Sequence, residues 1–148
     1  KKERKKAIAS ALSATLDKDL VAERGHRIKN AKHTPIVLED SFEKIKKTSE
    51  VIKILELFGL SEELERCSER KVRAGRGKSR GRKYKTKKGP VVIIGKDDGV
   101  AKALCNIPGI DVLLANELDV SSLAPGTHPG RFAIYTKSAI KELGSDGK

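Results

Sequence analysis

A chain of 148 residues with 37% hydrophobic residues is long enough for one domain with one core, and its 3% aromatic share leaves aliphatic side chains to fill that core. The formal net charge is +12, of which residues 71–88 carry +10 and the opening KKERKK +4, so the remainder sums to −2. Two concentrated cationic segments on a nearly neutral body point to a polyanionic partner; no apolar run approaches the ~20 residues of a membrane span, and the widely spaced Cys67 and Cys105 exclude a CxxC pair or a disulfide framework.

Ala7, Ile8, Ala11 and Leu12 form one apolar stripe and predict a helix over residues 2–15. Asp17 or Asp19 caps a second short helix that ends near Gly25. HTPIVLED predicts a short buried strand over residues 35–38. A helix is then expected to begin at Asp40 or Ser41, with Glu43 in a capping-box position. Phe42, Ile45, Ile52, Leu55 and Phe58 carry it at helical spacing to Gly59. Residues 61–69 predict another helix, with Leu60 and Leu64 facing inward.

Residues 71–90 have no hydrophobic periodicity, and Ala74 is the one aliphatic residue between Val72 and Pro90. Such a stretch has no face to bury, so it is expected to be a long extended loop, mobile when free. Loops of that length inside a compact domain are usually functional. After Pro90 the pattern changes. Val91–Ile94 is a continuous β-branched run suited to a strand buried on both faces. Asp97 or Asp98 caps a helix through Val100, Ala103, Leu104 and Cys105, with Cys105 expected in the core. Residues 112–114 and 132–135 predict strands on either side of a helical turn in DVSSLAPG, and Thr136 caps a last helix through Ala139, Ile140 and Leu143. Strands alternating with helices predict an α/β, three-layer domain. Its mostly parallel sheet is expected to have about four strands flanked by helices. Residues 1–148 are expected to form this single domain, with the basic loop inserted before a central strand.

The glycines of RAGRGKSRGRKYKTKKGP raise a choice between a nucleotide site and a polymer site. A phosphate loop GxxxxGK[ST] ending at Gly77-Lys78-Ser79 would require glycine where Val72 stands. The segment also follows a helix and precedes a strand, the reverse of the order that aims backbone N–H groups and a helix dipole at phosphates. GxGxxG fails as well, because the third glycine, Gly81, comes one place late. Ten cations suit a polymer backbone better than one nucleotide. Arginine offers forked donors to phosphate oxygens and lysine mobile point charges. The predicted RNA contacts are therefore Lys71, Arg73, Arg76, Lys78, Arg80, Arg82, Lys83, Lys85, Lys87 and Lys88, extended by Lys1, Lys2 and Arg4. Tyr84 either stacks on a base or anchors the loop. In LAPGTHPGRF, His128 and Arg131 are either members of an ordinary turn or auxiliary RNA contacts. A stacking platform is missing, which favours folded RNA or duplex DNA over loose single strands. His26, His33 and His128 are scattered, no metal-ligand spacing or GxSxG occurs, and no cofactor is expected.

KVRAGRGKSRGRKYKTKKGPVVII and NIPGIDVLLANELDVSSLAPGTHPGRFAIYTKSAIKEL together resemble the universal L-four family of large-subunit ribosomal proteins, in its archaeal and eukaryotic branch. ERKKAIASALSATLDKDLVAERGHRI is similar to the same family, so the resemblance covers nearly the whole chain. It implies a non-enzymatic structural protein of the large ribosomal subunit. Its partners would be ribosomal RNA and neighbouring ribosomal proteins, with neither a membrane nor a small-molecule substrate, in the cytoplasm. Family members also carry an upstream strand, helix and basic loop that reaches the nascent-chain tunnel, and this sequence is expected to be a piece lacking them. The tunnel-lining role therefore falls on no residue here. The family's Gly-Gly before its histidine appears as Gly126-Thr127. The absence of a long basic tail after the last helix and the lack of Gln and Met are expected of a thermophilic archaeal source. The alternatives are a nucleotide-binding α/β enzyme using the glycine-rich segment, and a DNA-binding or chromatin protein.

Overall fold

The computed structural model describes residues 2–28, 30–31 and 33–145. Its centre is a four-stranded, all-parallel sheet. The strands are β1 (Ile36–Leu38), β4 (Val91–Ile94), β5 (Asp111–Leu114) and β6 (Ala133–Thr136), in the order β1-β6-β4-β5. A separate antiparallel ladder pairs β2 (Lys71–Val72) with β3 (Tyr84–Lys85).

The β-branched run predicted at Val91–Ile94 is a strand with those bounds, and all four residues are buried. Side chains alternate across a strand, so this run serves two cores. Val92 and Ile94 join Ile134, Phe132, Leu38 and Phe42 on one face. That face is covered by α2 (Lys18–Glu23), α3 (Thr48–Leu57), α4 (Ser61–Ser68) and α5 (Val100–Cys105) through Val21, Val51, Leu55, Leu64 and Leu104. Val91 and Ile93 join Ala133 and Tyr135 on the other face. There α1 (Lys2–Leu16), α6 (Val120–Leu123) and α7 (Lys137–Ser145) supply Ala11, Leu123 and Ala139. This is the expected three-layer α/β arrangement. Thr15, buried on α1, exchanges a hydrogen bond of 2.9 Å with Tyr135 on β6 and ties the outer helix to the sheet.

Three expectations are corrected. The helix expected from Asp40 to Phe58 is two pieces, a 3-10 turn at Asp40–Lys44 and then α3. The break turns Glu43 inward to bonds described below. Cys105 is exposed, whereas Cys67 on α4 is the buried cysteine. Residues 71–90 are not a plain extended loop, because the β2–β3 ladder closes residues 71–85 into a hairpin. Asp17 caps α2 by accepting from Asp19 N, and Asp97 caps α5 by accepting from Gly99 N and Ala101 N.

Candidate nucleic-acid interface

The hairpin owes its shape to its glycines. Arg82 N donates to Gly77 O across six residues, and Gly81 lies between them with φ of +75°. That is the left-handed closure that ends a helical turn, and a side chain there is strained. Ser79 Oγ donates to Arg76 O within the same turn. Below the tip, Arg73 N donates to Lys83 O at 2.8 Å, and Arg73 Nε to Arg82 O at 3.2 Å. The tip therefore presents Arg76, Lys78, Arg80 and Arg82 from a folded turn, all four exposed. On the ladder, Val72 and Tyr84 face each other and are 58% and 50% exposed. Lys83 Nζ sits 5.5 Å from the centre of the Tyr84 ring. Tyr84 is thus not sunk into the core.

The hairpin springs from the amino ends of β4, β5 and β6, and ion pairs hold its root. Arg131 was expected near the surface as a turn residue or RNA contact. Instead it is 0% exposed. Its Nε donates to Gly89 O at 2.8 Å and its Nη1 to Ser122 O at 2.6 Å, while Nη2 meets Asp111 Oδ2 at 2.7 Å. The sequence around it turns it inward. Gly130 with φ of +80° packs where a Cβ would lie 2.5 Å from Leu20 O, and the buried Phe132 follows. Arg131 is a bolt between the end of the strap and the sheet, with no donor left at the surface to offer RNA. Lys88 Nζ shares Asp111 at 2.8 Å, and Lys87 Nζ pairs with Glu69 at 2.5 Å. Burial works against the charge of Asp111, yet Lys88 and Arg131 hold its carboxyl below the usual range.

A second anchor escaped the sequence reading. Arg66 Nη2 donates to Lys88 O at 2.8 Å and to Glu63 Oε1 at 2.6 Å. Glu63 is fully buried and also accepts from His26 Nδ1 at 2.6 Å and Arg27 N at 2.9 Å. Burial alone would raise its pKa, but these bonds outweigh it and bring it down to about 2. The available signal was the spacing of Glu63 and Arg66, three apart on a helix. Arg24 was missed too. It donates to the carbonyls of His128 and Pro129 and, at 2.9 Å, of Pro125, so it clamps the LAPGTHPG segment onto α2.

His128 itself is exposed, facing a groove beside the hairpin root. Lys2 and Arg4 lie on the exposed face of α1, and Arg4 pairs with Asp119 at 3.6 Å. Lys1 lies outside the described residues. The predicted contacts thus separate into the hairpin with its root, the groove rim and the α1 surface, with Arg131 removed to the interior.

The other end of the sheet bears on the enzyme alternative. Open α/β sheets bind substrates in the crevice beyond the carboxyl ends of their strands. Here Glu43 occupies that position. Its carboxylate accepts from Gly95 N at 3.0 Å, Thr136 Oγ1 at 2.7 Å and Ser138 Oγ at 2.6 Å. Asp40 Oδ1 accepts from Ser138 N at 2.8 Å, at the start of α7. Donors that a nucleotide phosphate would need are spent on the chain's own carboxylates. Gly77-Lys78-Ser79 lies in the hairpin between α4 and β4 and opens no helix of the sheet domain.

The model of the ribosomal protein L4/L1 family matches residues 1–146. The chain is 46% identical over 145 residues to the large ribosomal subunit protein uL4 of Methanosphaera stadtmanae, covering 97% of this chain and 56% of that protein. The uL4 of Archaeoglobus fulgidus is 45% identical, with coverages of 97% and 57%, and that of Sulfurisphaera tokodaii 49%, with 97% and 54%. The chain spans about half the length of the curated relatives it matches. A family match over almost every residue, on a parallel three-layer fold with a rooted cationic hairpin, leaves one assignment: the chain belongs to the ribosomal protein L4/L1 family.

Proposed function

We propose that this chain is a structural, non-enzymatic part of the large ribosomal subunit that binds ribosomal RNA through the β2–β3 hairpin. The observation that carries the proposal is the placement of charge. Arg76, Lys78, Arg80 and Arg82 project from a folded tip, and the hairpin's root is bolted to the sheet by Arg131 and Arg66. A rooted hairpin brings its cations to phosphates with less ordering cost than a free strap. Lys71, Arg73, Lys83, Lys85, Lys87 and Lys88 extend the contact along the root, and Lys2 and Arg4 add to it from α1. His128 joins from the groove rim. The partners on this reading are large-subunit RNA and adjacent ribosomal proteins, in the cytoplasm. No helix among the described residues is long and apolar enough to cross a membrane.

Filter binding against large-subunit RNA over a range of salt tests the reading. Neutralising six to ten phosphates gives a slope of log affinity on log salt of roughly −4 to −9. Replacing Arg76, Arg80 and Arg82 together by alanine flattens the slope by about two to three. A slope near −1 for the unchanged chain would sink the proposal. Tighter binding to duplex DNA than to structured RNA at equal salt would favour the DNA-binding alternative.

A further inference from the structure

Most cations at the hairpin root have a partner, and two do not. Lys87 is paired with Glu69 and Lys88 with Asp111. Arg66 is spent on Glu63 and Lys88 O, and Arg24 on three carbonyls. Lys71 and Lys85, by contrast, stand directly opposite each other in the ladder. Like charges in that position destabilise a strand pair, and a two-residue ladder has little to offset them. Among the described residues neither lysine has an ion pair; Lys71 acts on Glu69 only through space, and that carboxylate already holds Lys87.

Both lysines line a groove of about 980 Å³. Pro125, Gly126, His128 and Pro129 line it too, as do Leu20 and Arg24. The segment over residues 125–130 is held in place, because Arg24 donates to its carbonyls and Gly130 is pressed against Leu20. It offers the flat, exposed imidazole of His128 and the apolar face of the Pro129 ring, and its clamped carbonyls are already accepting. Glu23 is the one acid lining the groove. The groove therefore brings together two lysines that have no ion pair and surfaces for stacking. A paired, stacked base has no free face to lay on such a surface, whereas an extruded one does.

We propose that this groove receives a single unpaired nucleotide of the RNA, its phosphate bridged by Lys71 and Lys85 and its base laid on His128 and Pro129. The proposal rests on the RNA-binding function above and assigns the groove a task separate from the hairpin tip. The tip supplies sequence-independent phosphate contacts, and the groove selects a bulge.

The test compares a fully paired RNA hairpin with the same hairpin carrying one bulged adenosine, at one fixed salt concentration. The unchanged chain is expected to bind the bulged RNA about tenfold more tightly, the scale of one stacked base. Lys71→Ala, Lys85→Ala and His128→Ala in combination remove that preference. All three side chains are exposed, so circular dichroism should be unchanged. His128→Ala alone, which loses no hydrogen bond, removes part of it. Alanine at Arg76, Arg80 and Arg82 weakens both RNAs alike and keeps the ratio. Equal binding of the two RNAs by the unchanged chain, or a preference that survives the groove substitutions, overturns the proposal while leaving the tip's RNA contact standing. Weak binding of both RNAs, together with a shallow slope in the salt titration described above, overturns the RNA-binding function and this inference with it.

Discussion

Glu63 shows how one side chain can be indispensable and hard to foresee. Glutamate is almost never fully buried unless paired, so Leu60 and Leu64 were the natural choice for the inner face of α4. Glu63 is buried all the same, because His26, Arg66 and the Arg27 amide converge on it. Its pKa of about 2 in the fold lies below the ordinary 4.5. The stabilisation it gives is therefore complete above about pH 4.5 and is lost as pH falls from there toward 2. At neutral pH that amounts to about 3 kcal/mol. Glu63→Gln should lower the urea midpoint at pH 7 by an amount equivalent to about 3–5 kcal/mol, since Arg66 would be left with a weaker partner. Urea unfolding at pH 7 and pH 3 is the check. The unchanged chain should lose more stability between the two than the variant does. Asp111 and Glu43, also held below their usual range, keep the variant's own loss above zero. The neighbouring Cys67 thiol is pushed up to about 11 by burial and by the Glu63 charge, so it is inert at neutral pH.

At the scale of elements, the hairpin over residues 71–85 is the largest departure from expectation. Composition indicates that the segment lacks a core of its own, and that is correct. What composition hides is that glycines at fixed intervals let the chain close on its own backbone. Gly81→Val should cost about 1–3 kcal/mol locally, because φ of +75° is unfavourable for a β-branched residue. The tip would then lose its turn. RNA affinity should fall several-fold, while the thermal midpoint of the sheet domain moves little, because the tip is exposed. Filter binding and a thermal melt on the same variant separate the two effects. An unchanged affinity would mean that the tip's fold is irrelevant to its function. The break between the Asp40–Lys44 turn and α3 was invisible for a related reason: apolar spacing continues across it. The break comes with the inward turn of Glu43, whose partners Gly95, Thr136 and Ser138 lie far away in sequence.

For the molecule as a whole, charge and core are separable. A body of net −2 carries two basic segments, and of the pairs that hold the root the two made by Arg131 and Arg66 are largely buried, whereas Lys87–Glu69 and Lys88–Asp111 are part-exposed. Raising salt screens exposed cations strongly and buried pairs weakly. RNA affinity should therefore collapse with salt at the slope given above, while the melting temperature of the free chain shifts by only about a few degrees. A melting temperature that fell in step with affinity would place the hairpin cations within the stability of the fold. The strands and most helices were legible because β-branched runs, apolar periodicity and caps such as Asp17 and Asp97 act over a few neighbouring residues. The excess of cations was legible by counting. The fate of Arg131 was not, since an arginine after Pro-Gly looks alike in a solvated turn and in a buried one. Its destination depends on Gly89, Pro90, Asp111 and Ser122, brought together only when the sheet closes. The same holds for Lys71 and Lys85, which become a frustrated pair only once the hairpin sets them face to face. Local chemistry names the elements and the excess of cations, whereas long-range convergence decides which cations bolt the structure and which stay exposed at its surface.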